Sequence, residues 1–177
     1  MSLQNVSAYK NTSVNWAKSQ AQLMMYLESK DCLDVRFTNI SWETAEQRGL
    51  VMAQDTYAIM IEFFRLSKME SGVSGKVPVR VLIPNIPNNE RQRNQAYRLL
   101  FWYLKSKFEA VETGLVDFEQ EFLPHLMIKD KSGFVGRVWD MLKKPYENML
   151  AGGTSDFYQA LPEGKITNSD GEKKEEG

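Results

Sequence analysis

Three segments in which apolar and polar residues alternate follow one another in the first half of the chain. They read LDVRFTNI from Leu33, TYAIMIEFFRL from Thr56 and VPVRVLIPNI from Val77. Alternation with a period of two is typical of β-strands that bury one face. Three sequential antiparallel strands would form a meander, with helices covering one of its faces. This pattern limits the fold more than any other feature of the sequence.

The alternation also predicts which side chains face the helices. Pro78 and Pro84 lie in the third segment and suit an edge strand. The second segment also fits a helix continued from Trp42 to Phe64, but its β-branched and aromatic content favours a strand. The inward side chains are predicted to be Leu33, Val35 and Phe37 in the first strand, Tyr57, Ile59, Ile61 and Phe63 in the second, and Val77, Val79, Val81 and Ile83 in the third.

Helix signals flank the three strands. Ser13 is a candidate cap for a first helix, and Asn89 with Gln92 resembles a capping box that opens a long helix. Thr113-Gly114 ends that helix, and Asp117 caps a short one. The long helix has a broad apolar face, predicted to be core, formed by Ala96, Leu99, Leu100, Tyr103, Leu104, Phe108, Val111 and Leu115. A last amphipathic helix follows near Val138.

The predicted fold is therefore α+β: an N-terminal helix, a three-stranded antiparallel meander, then a long helix and two shorter helices packed on the sheet. The order of the first elements also matches that of double-stranded RNA-binding domains, although element order does not transmit function. Residues 1–12 are predicted to be a flexible N-terminus, 13–151 a single domain and 152–177 a disordered acidic tail. The tail prediction rests on its Gly, Ser and charged residues.

Composition argues against several kinds of chemistry. The chain has 22 Lys and Arg against 23 Asp and Glu, so it is not a globally basic protein. One cysteine, Cys32, and one histidine, His125, exclude an internal disulfide and a Cys/His zinc site. Glu119 and Glu121 diverge on a helix, so they do not form a metal site with His125. Neither a signal peptide nor a membrane span is evident, and we expect a cytoplasmic protein with no cofactor, no metal and no enzymatic activity.

The long helix also carries a line of cations. Arg91, Arg98 and Lys105 are seven residues apart, and Trp102 lies beside them. Such a line suits contact with a phosphate backbone, with Trp102 stacking on a base. The same residues also fit a solvated helix face, on which Glu109 pairs with Lys105.

The outward sheet face and the tail offer other candidate surfaces. The expected register puts Glu62 between Arg36 and Arg80, which suggests a structural charge network or secondary nucleic-acid contacts. Met60 and Phe64 point the same way and would favour a protein partner if exposed. In the tail, Phe157, Tyr158 and Leu161 form an apolar island that is either a docking peptide or a chance occurrence.

The stretch LKSKFEAVETGLVDFEQEFLPHL resembles a family of small uncharacterised proteins of phages, prophages and mobile elements. Their shared sequence reads roughly KAKLEAVxxGLxxFEEEFLPYL, and the resemblance covers residues 90–142. His125 stands where that family tends to have an aromatic residue. The resemblance implies a mobile element in a prokaryotic host or virus-infected cell, and it supplies no mechanism. The matching residues are Lys105, Lys107, Phe108, Glu109, Ala110, Val111, Gly114, Leu115, Phe118, Glu119, Glu121, Phe122, Leu123 and Pro124.

These observations predict a non-enzymatic accessory protein that binds DNA or RNA in replication or DNA handling. The alternative is a protein-interaction or assembly protein, either a structural component or an inhibitor of a host defence system. It would act through the sheet face or the tail on a phage or host protein, and a homo-oligomer stays open. No membrane partner is expected.

Overall fold

A computed structural model describes residues 6–68, 74–129 and 135–150. In these ranges the predicted α+β order is confirmed, and the tail at 152–177, with Phe157, Tyr158 and Leu161, lies outside them. Single 3₁₀ turns span Glu46–Arg48 and Leu123–His125. The helices and longer strands are α1 (Trp16–Ser29), β1 (Cys32–Ser41), α2 (Trp42–Ala45), β2 (Thr56–Lys68), β3 (Ser74–Pro87), α3 (Glu90–Glu112), α4 (Phe118–Phe122), β4 (Met127–Lys129), β5 (Val135–Arg137) and α5 (Val138–Leu150).

The three long strands form an antiparallel sheet in the order β1-β2-β3. The second segment is thus a strand, as preferred, and it lies at the centre of the sheet. Its inward residues Ile59, Ile61 and Phe63 are buried beneath the helices. Pro78 and Pro84 lie on an edge strand, where a missing backbone N–H costs no ladder bond with a further strand. Leu126 makes a single bridge to Val79 at this edge.

A β-bulge in β1 overturns one part of the predicted pattern. The register shifts between Leu33 and Arg36, and Asp34 adopts a positive φ of 55°. One extra residue reverses the alternation. Leu33 therefore lies opposite Phe64 on the outward face, so its predicted inward position was wrong. Cys32 takes the core position instead, and burial raises the pKa of its thiol to about 12.

Both long helices pack on the inward face, and their caps explain where they begin. The cap of α1 is Asn15, whose Oδ1 accepts from the N–H of Ala17 at 2.8 Å, rather than the predicted Ser13. Asn89 caps α3 by accepting from the N–H of Gln92 at 2.9 Å. Gly114, at φ 71°, supplies the left-handed residue after the helix end. Asp117 caps α4 as predicted, and it forms a capping box with Gln120.

Phenylalanine side chains from three elements meet at the C-terminal end of α3. Phe108 lies 6.3 Å from Phe63 of β2, 6.0 Å from Phe118 and 5.1 Å from Phe122, measured between ring centroids. The Arg65 guanidinium lies over the rings of Phe108 and Phe118, at 5.3 and 4.8 Å. Aromatic pairs in this distance range stabilise beyond their buried area. We refer to these four phenylalanines as the Phe108 cluster.

Two residues of the predicted apolar face of α3 are not core. Leu115 lies beyond the helix end and is 77% exposed, and the Tyr103 ring is half exposed. Tyr97, which was not predicted, is fully buried with Leu100 and Leu104. The buried stripe is therefore rotated by part of a turn from the predicted one, because α1 and the sheet enclose the Tyr97 side of the helix.

The outward sheet face is partly covered, whereas the meander was expected to carry helices on one face. The segment around α2 and the residues after it lie over this face and form a second small core. Ile40, Ala45, Ala58 and Met60 are buried there, with Leu50, Met52 and Leu82 packed against them. Because apolar residues of β2 are buried on both faces here, the central strand carries a nearly continuous apolar run.

Candidate functional site

The predicted line of cations lies on the side of α3 that faces away from the sheet. Arg91, Arg98 and Lys105 succeed one another at seven-residue intervals, about 10 Å along the helix axis for each interval. Trp102 lies between the last two and is 37% exposed. We call these four residues the α3 ridge. The structure brings them together as the sequence predicted.

Two ridge arginines make hydrogen bonds only to neutral oxygens. Arg91 donates from Nε to the carbonyl of Lys10 at 3.0 Å and from Nη2 to Oδ1 of Asn11 at 2.6 Å. Arg98 donates from Nη1 to Oε1 of Gln22 at 3.2 Å. Within the described ranges, neither guanidinium has a carboxylate at ion-pair distance. No carboxylate of the described residues therefore cancels their positive charges.

The other two ridge residues are more heavily engaged. Lys105 pairs with Glu109 at 3.4 Å, as the solvated-face interpretation expected. The Trp102 ring lies between cations, with the Arg98 guanidinium 5.2 Å and the Lys105 ammonium 4.9 Å from its centroid. These cation–π contacts compete with a base for the faces of the ring. Trp102 is thus better suited to holding the two cations than to stacking.

The secondary candidates on the sheet do not join the ridge. Arg36 and Arg80 flank Glu62 in the register, as predicted, but on the face opposite α3. Arg80 donates from Nε and Nη2 to one oxygen of Glu62 at 2.9 and 2.8 Å. Of the two arginines, only Arg80 lies within ion-pair distance of Glu62 in the described part of the chain.

The two protein-interaction candidates on this face have different surroundings. Met60 is only 8% exposed because the segment after α2 covers it. A partner therefore cannot use Met60 unless that segment moves. Phe64 is 36% exposed and lies directly opposite Leu33, at the uncovered end of the sheet.

A tyrosine–histidine pair is a feature that the sequence did not indicate. The Tyr103 hydroxyl and Nε2 of His125 are 2.6 Å apart, beside an apolar cavity of about 310 Å³ lined by Val81, Leu82, Ile83, Leu99 and Leu100. Burial, followed by the charges of Lys107 and Arg137, lowers the pKa of His125 to about 4. The imidazole is therefore neutral at pH 7. The two residues are 22 apart and on different elements, so no local spacing signals the pair.

The carboxylates near His125 are engaged elsewhere. Glu119 accepts a hydrogen bond from the Ser67 hydroxyl, and Glu121 pairs with Lys107 at 2.7 Å. Over residues 6–68, 74–129 and 135–150, no group of three or more His, Cys, Asp or Glu side chains is arranged to hold a metal ion. Over the same residues, no helix is both long and apolar enough to cross a membrane.

Comparison of the chain with protein-family models, with curated proteins and with solved structures gives no match. The resemblance of residues 90–142 to phage and mobile-element proteins therefore stays a prediction. The likeness to double-stranded RNA-binding domains goes no further than the order of the elements.

We predict that the single histidine titrates near pH 4 instead of near 6.5, measured by NMR on its imidazole resonances. Because the folded state has the lower pKa, the unfolded state binds the extra proton. The contribution of His125 to stability is therefore complete above about pH 6.5 and is lost as the pH falls toward 4. The unfolding free energy of His125→Gln should lack this part of the acid dependence. A midpoint near 6.5 in the folded protein would contradict the buried, neutral imidazole.

Proposed function

We propose that this chain is a non-enzymatic module that binds the phosphate backbone of a nucleic acid through the α3 ridge. The observation that carries the proposal is the pair of exposed guanidiniums, Arg91 and Arg98, whose partners are neutral oxygens. An arginine that pairs with a carboxylate has little attraction left for a phosphate. An arginine held by a carbonyl or an amide keeps its full charge and is already oriented.

The spacing of the two arginines supports the same proposal. One seven-residue interval of the helix is about 10 Å. Successive phosphates of one strand advance about 3.4 Å along a duplex axis, so the interval matches about three nucleotide steps. Two uncancelled cations release few counterions, and the affinity should therefore be modest and sensitive to salt.

Trp102 has a supporting role in this proposal. Its ring contacts both Arg98 and Lys105, so it holds the two side chains along the helix. Lys105 shares its charge with Glu109 and contributes less than the arginines. Arg36 and Arg80 lie across the sheet, and they would contact a nucleic acid only if it passed around the domain.

The proposed setting is the replication or DNA-handling machinery of a phage or mobile element. Its support is the resemblance over residues 90–142, a stretch that contains the whole ridge. The resemblance says nothing about which nucleic acid is bound, so the choice among single-stranded DNA, duplex DNA and duplex RNA is left to measurement.

The test is fluorescence anisotropy with labelled single-stranded DNA, duplex DNA and duplex RNA at several salt concentrations. We expect the logarithm of the association constant to fall linearly with the logarithm of salt concentration. Two phosphate contacts predict a slope of about −1.8 for duplex DNA and about −1.4 for a single strand. Arg91→Glu/Arg98→Glu should abolish it. Lys143→Glu/Lys144→Glu makes the same change in net charge on exposed positions of α5 and should bind like the parent. The proposal would be contradicted if the chain did not bind at low salt, or if both double variants lost the same amount of affinity.

Assembly through the outward sheet face is a second candidate, favoured by one observation. Leu33, Phe64 and Leu66 form an apolar strip at the uncovered end of the sheet, where Leu66 is 59% exposed. Neighbouring exposed apolar side chains often mark a protein interface. The strip is small, which is why this candidate ranks second.

Sedimentation velocity across a wide concentration range tests this second candidate. If the chain self-assembles through the strip, its measured mass should rise with concentration. The Phe64→Ser variant should have the mass of a monomer at every concentration. Val51→Ser truncates an apolar side chain that is 96% exposed but lies off the strip, so it should leave the mass unchanged. A monomer at every concentration would rule out self-assembly.

A further inference from the structure

A large cavity lies on the outward sheet face, away from the α3 ridge. It has a volume of about 630 Å³, within the range of small-molecule sites. Ile40, Met60 and Leu82, one from each long strand, contribute its apolar floor. One side is formed by the turn at Gln47–Leu50, and the other by the junction of β5 and α5. We call this cavity the arginine cleft.

Three arginines from distant parts of the chain line this cleft: Arg48 of the turn, Arg80 of β3 and Arg137 of β5. Arg137 donates from Nε and Nη2 to the two oxygens of Asp140, both at 2.8 Å. Arg80 is held by Glu62 through Nε and Nη2. These bonds fix both guanidiniums and use none of their Nη1 donors.

The charges of the cleft do not balance. Arg48 has no carboxylate within ion-pair distance in the described part of the chain. The three lining guanidiniums, set against Asp140 in the lining and Glu62, the ion-pair partner of Arg80, leave one positive charge. A singly charged anion would neutralise this charge, whereas a doubly charged one would leave a net negative charge in the cleft.

We propose that the arginine cleft binds a small organic anion that carries one negative charge on an apolar body. The apolar part would lie on Ile40, Met60 and Leu82, and the anionic group would accept from Arg48 and from the Nη1 groups of Arg80 and Arg137. A carboxylate and a phosphodiester share this chemistry, since each has one charge and two oxygens that match a guanidinium fork. The site is separate from the α3 ridge, so its ligand need not be the nucleic acid proposed above.

The experiment follows the methyl resonance of Met60 by NMR, assigned with Met60→Leu, while probes are added to the full chain. 3-Phenylpropionate represents carboxylates, and cyclic AMP represents phosphodiesters. Three compounds serve as controls. 3-Phenylpropanol lacks the negative charge, acetate lacks the apolar body, and AMP carries a second negative charge. We expect a saturable shift with one of the first two probes and at least about tenfold weaker binding of all three controls. The probe that binds identifies the anionic group.

Arg48→Gln is the decisive variant because Arg48 has no ion-pair partner among the described residues, and the fold should be unaffected. It should weaken probe binding by about tenfold, the usual loss of a charge-assisted hydrogen bond. Arg91→Gln makes the same charge change on the ridge and should leave probe binding unchanged. The proposal is overturned if neither probe binds below about 10 mM, or if Arg48→Gln binds like the parent. A ridge variant that loses the oligonucleotide but keeps the probe would separate the two sites.

Discussion

The packing of Phe108 against three other phenylalanines fixes how α3 lies on the sheet. Phe63 supplies the contact to β2, and Phe118 and Phe122 bring α4 under the end of the helix. Leu100 and Leu104 continue the same buried stripe toward the helix start. Once this stripe faces the sheet, the rotation of the helix is set. The ridge arginines must then face away from the core.

The two sides of α3 thus have different roles. The buried side joins β2, α1 and α4, and the exposed side keeps two arginines that are hydrogen-bonded to neutral oxygens and paired with no carboxylate of the described ranges. A cation on an exposed helix face can pair with a Glu four residues away, as Lys105 does with Glu109. The neutral partners of Arg91 and Arg98 are therefore the physical basis for proposing a phosphate contact. The arginine cleft follows the same logic on the other face of the sheet, where Arg48 has no ion-pair partner in the part of the chain that the structure describes.

Local patterns predicted much of the fold and less of the site. The period-two alternation identified β2 and β3, and the Asn89, Gly114 and Asp117 signals located helix ends, because these features depend on neighbours in sequence. The bulge at Asp34 was not predicted, because the alternation of apolar and polar residues continues through this position in the sequence. The seven-residue spacing correctly grouped the α3 ridge. It could not show that Arg93, two residues after Arg91, turns inward over Trp16 and Tyr57.

Features that depend on tertiary contacts were beyond the reach of the sequence. Tyr103 with His125, and the three arginines of the cleft, come from separate elements and have no shared period. The prediction that Met60 lies on the outward face was correct. Its burial was not predicted, because it depends on how the loop after α2 packs over that face. The register of Arg36, Glu62 and Arg80 was predictable because cross-strand neighbours follow from the meander itself.

The central claim is that the α3 ridge is not required for the fold, although Arg91 also contacts residues 10 and 11. Urea unfolding of three variants tests this claim directly. The account predicts that Phe108→Ala lowers the unfolding free energy by about 3–5 kcal/mol. Arg91→Glu/Arg98→Glu should lower it by no more than about 1 kcal/mol, and the exposed Leu115→Ala by less than about 0.5 kcal/mol. If the ridge variant loses as much stability as Phe108→Ala, the arginines are structural and the proposed ridge has no free charge to offer.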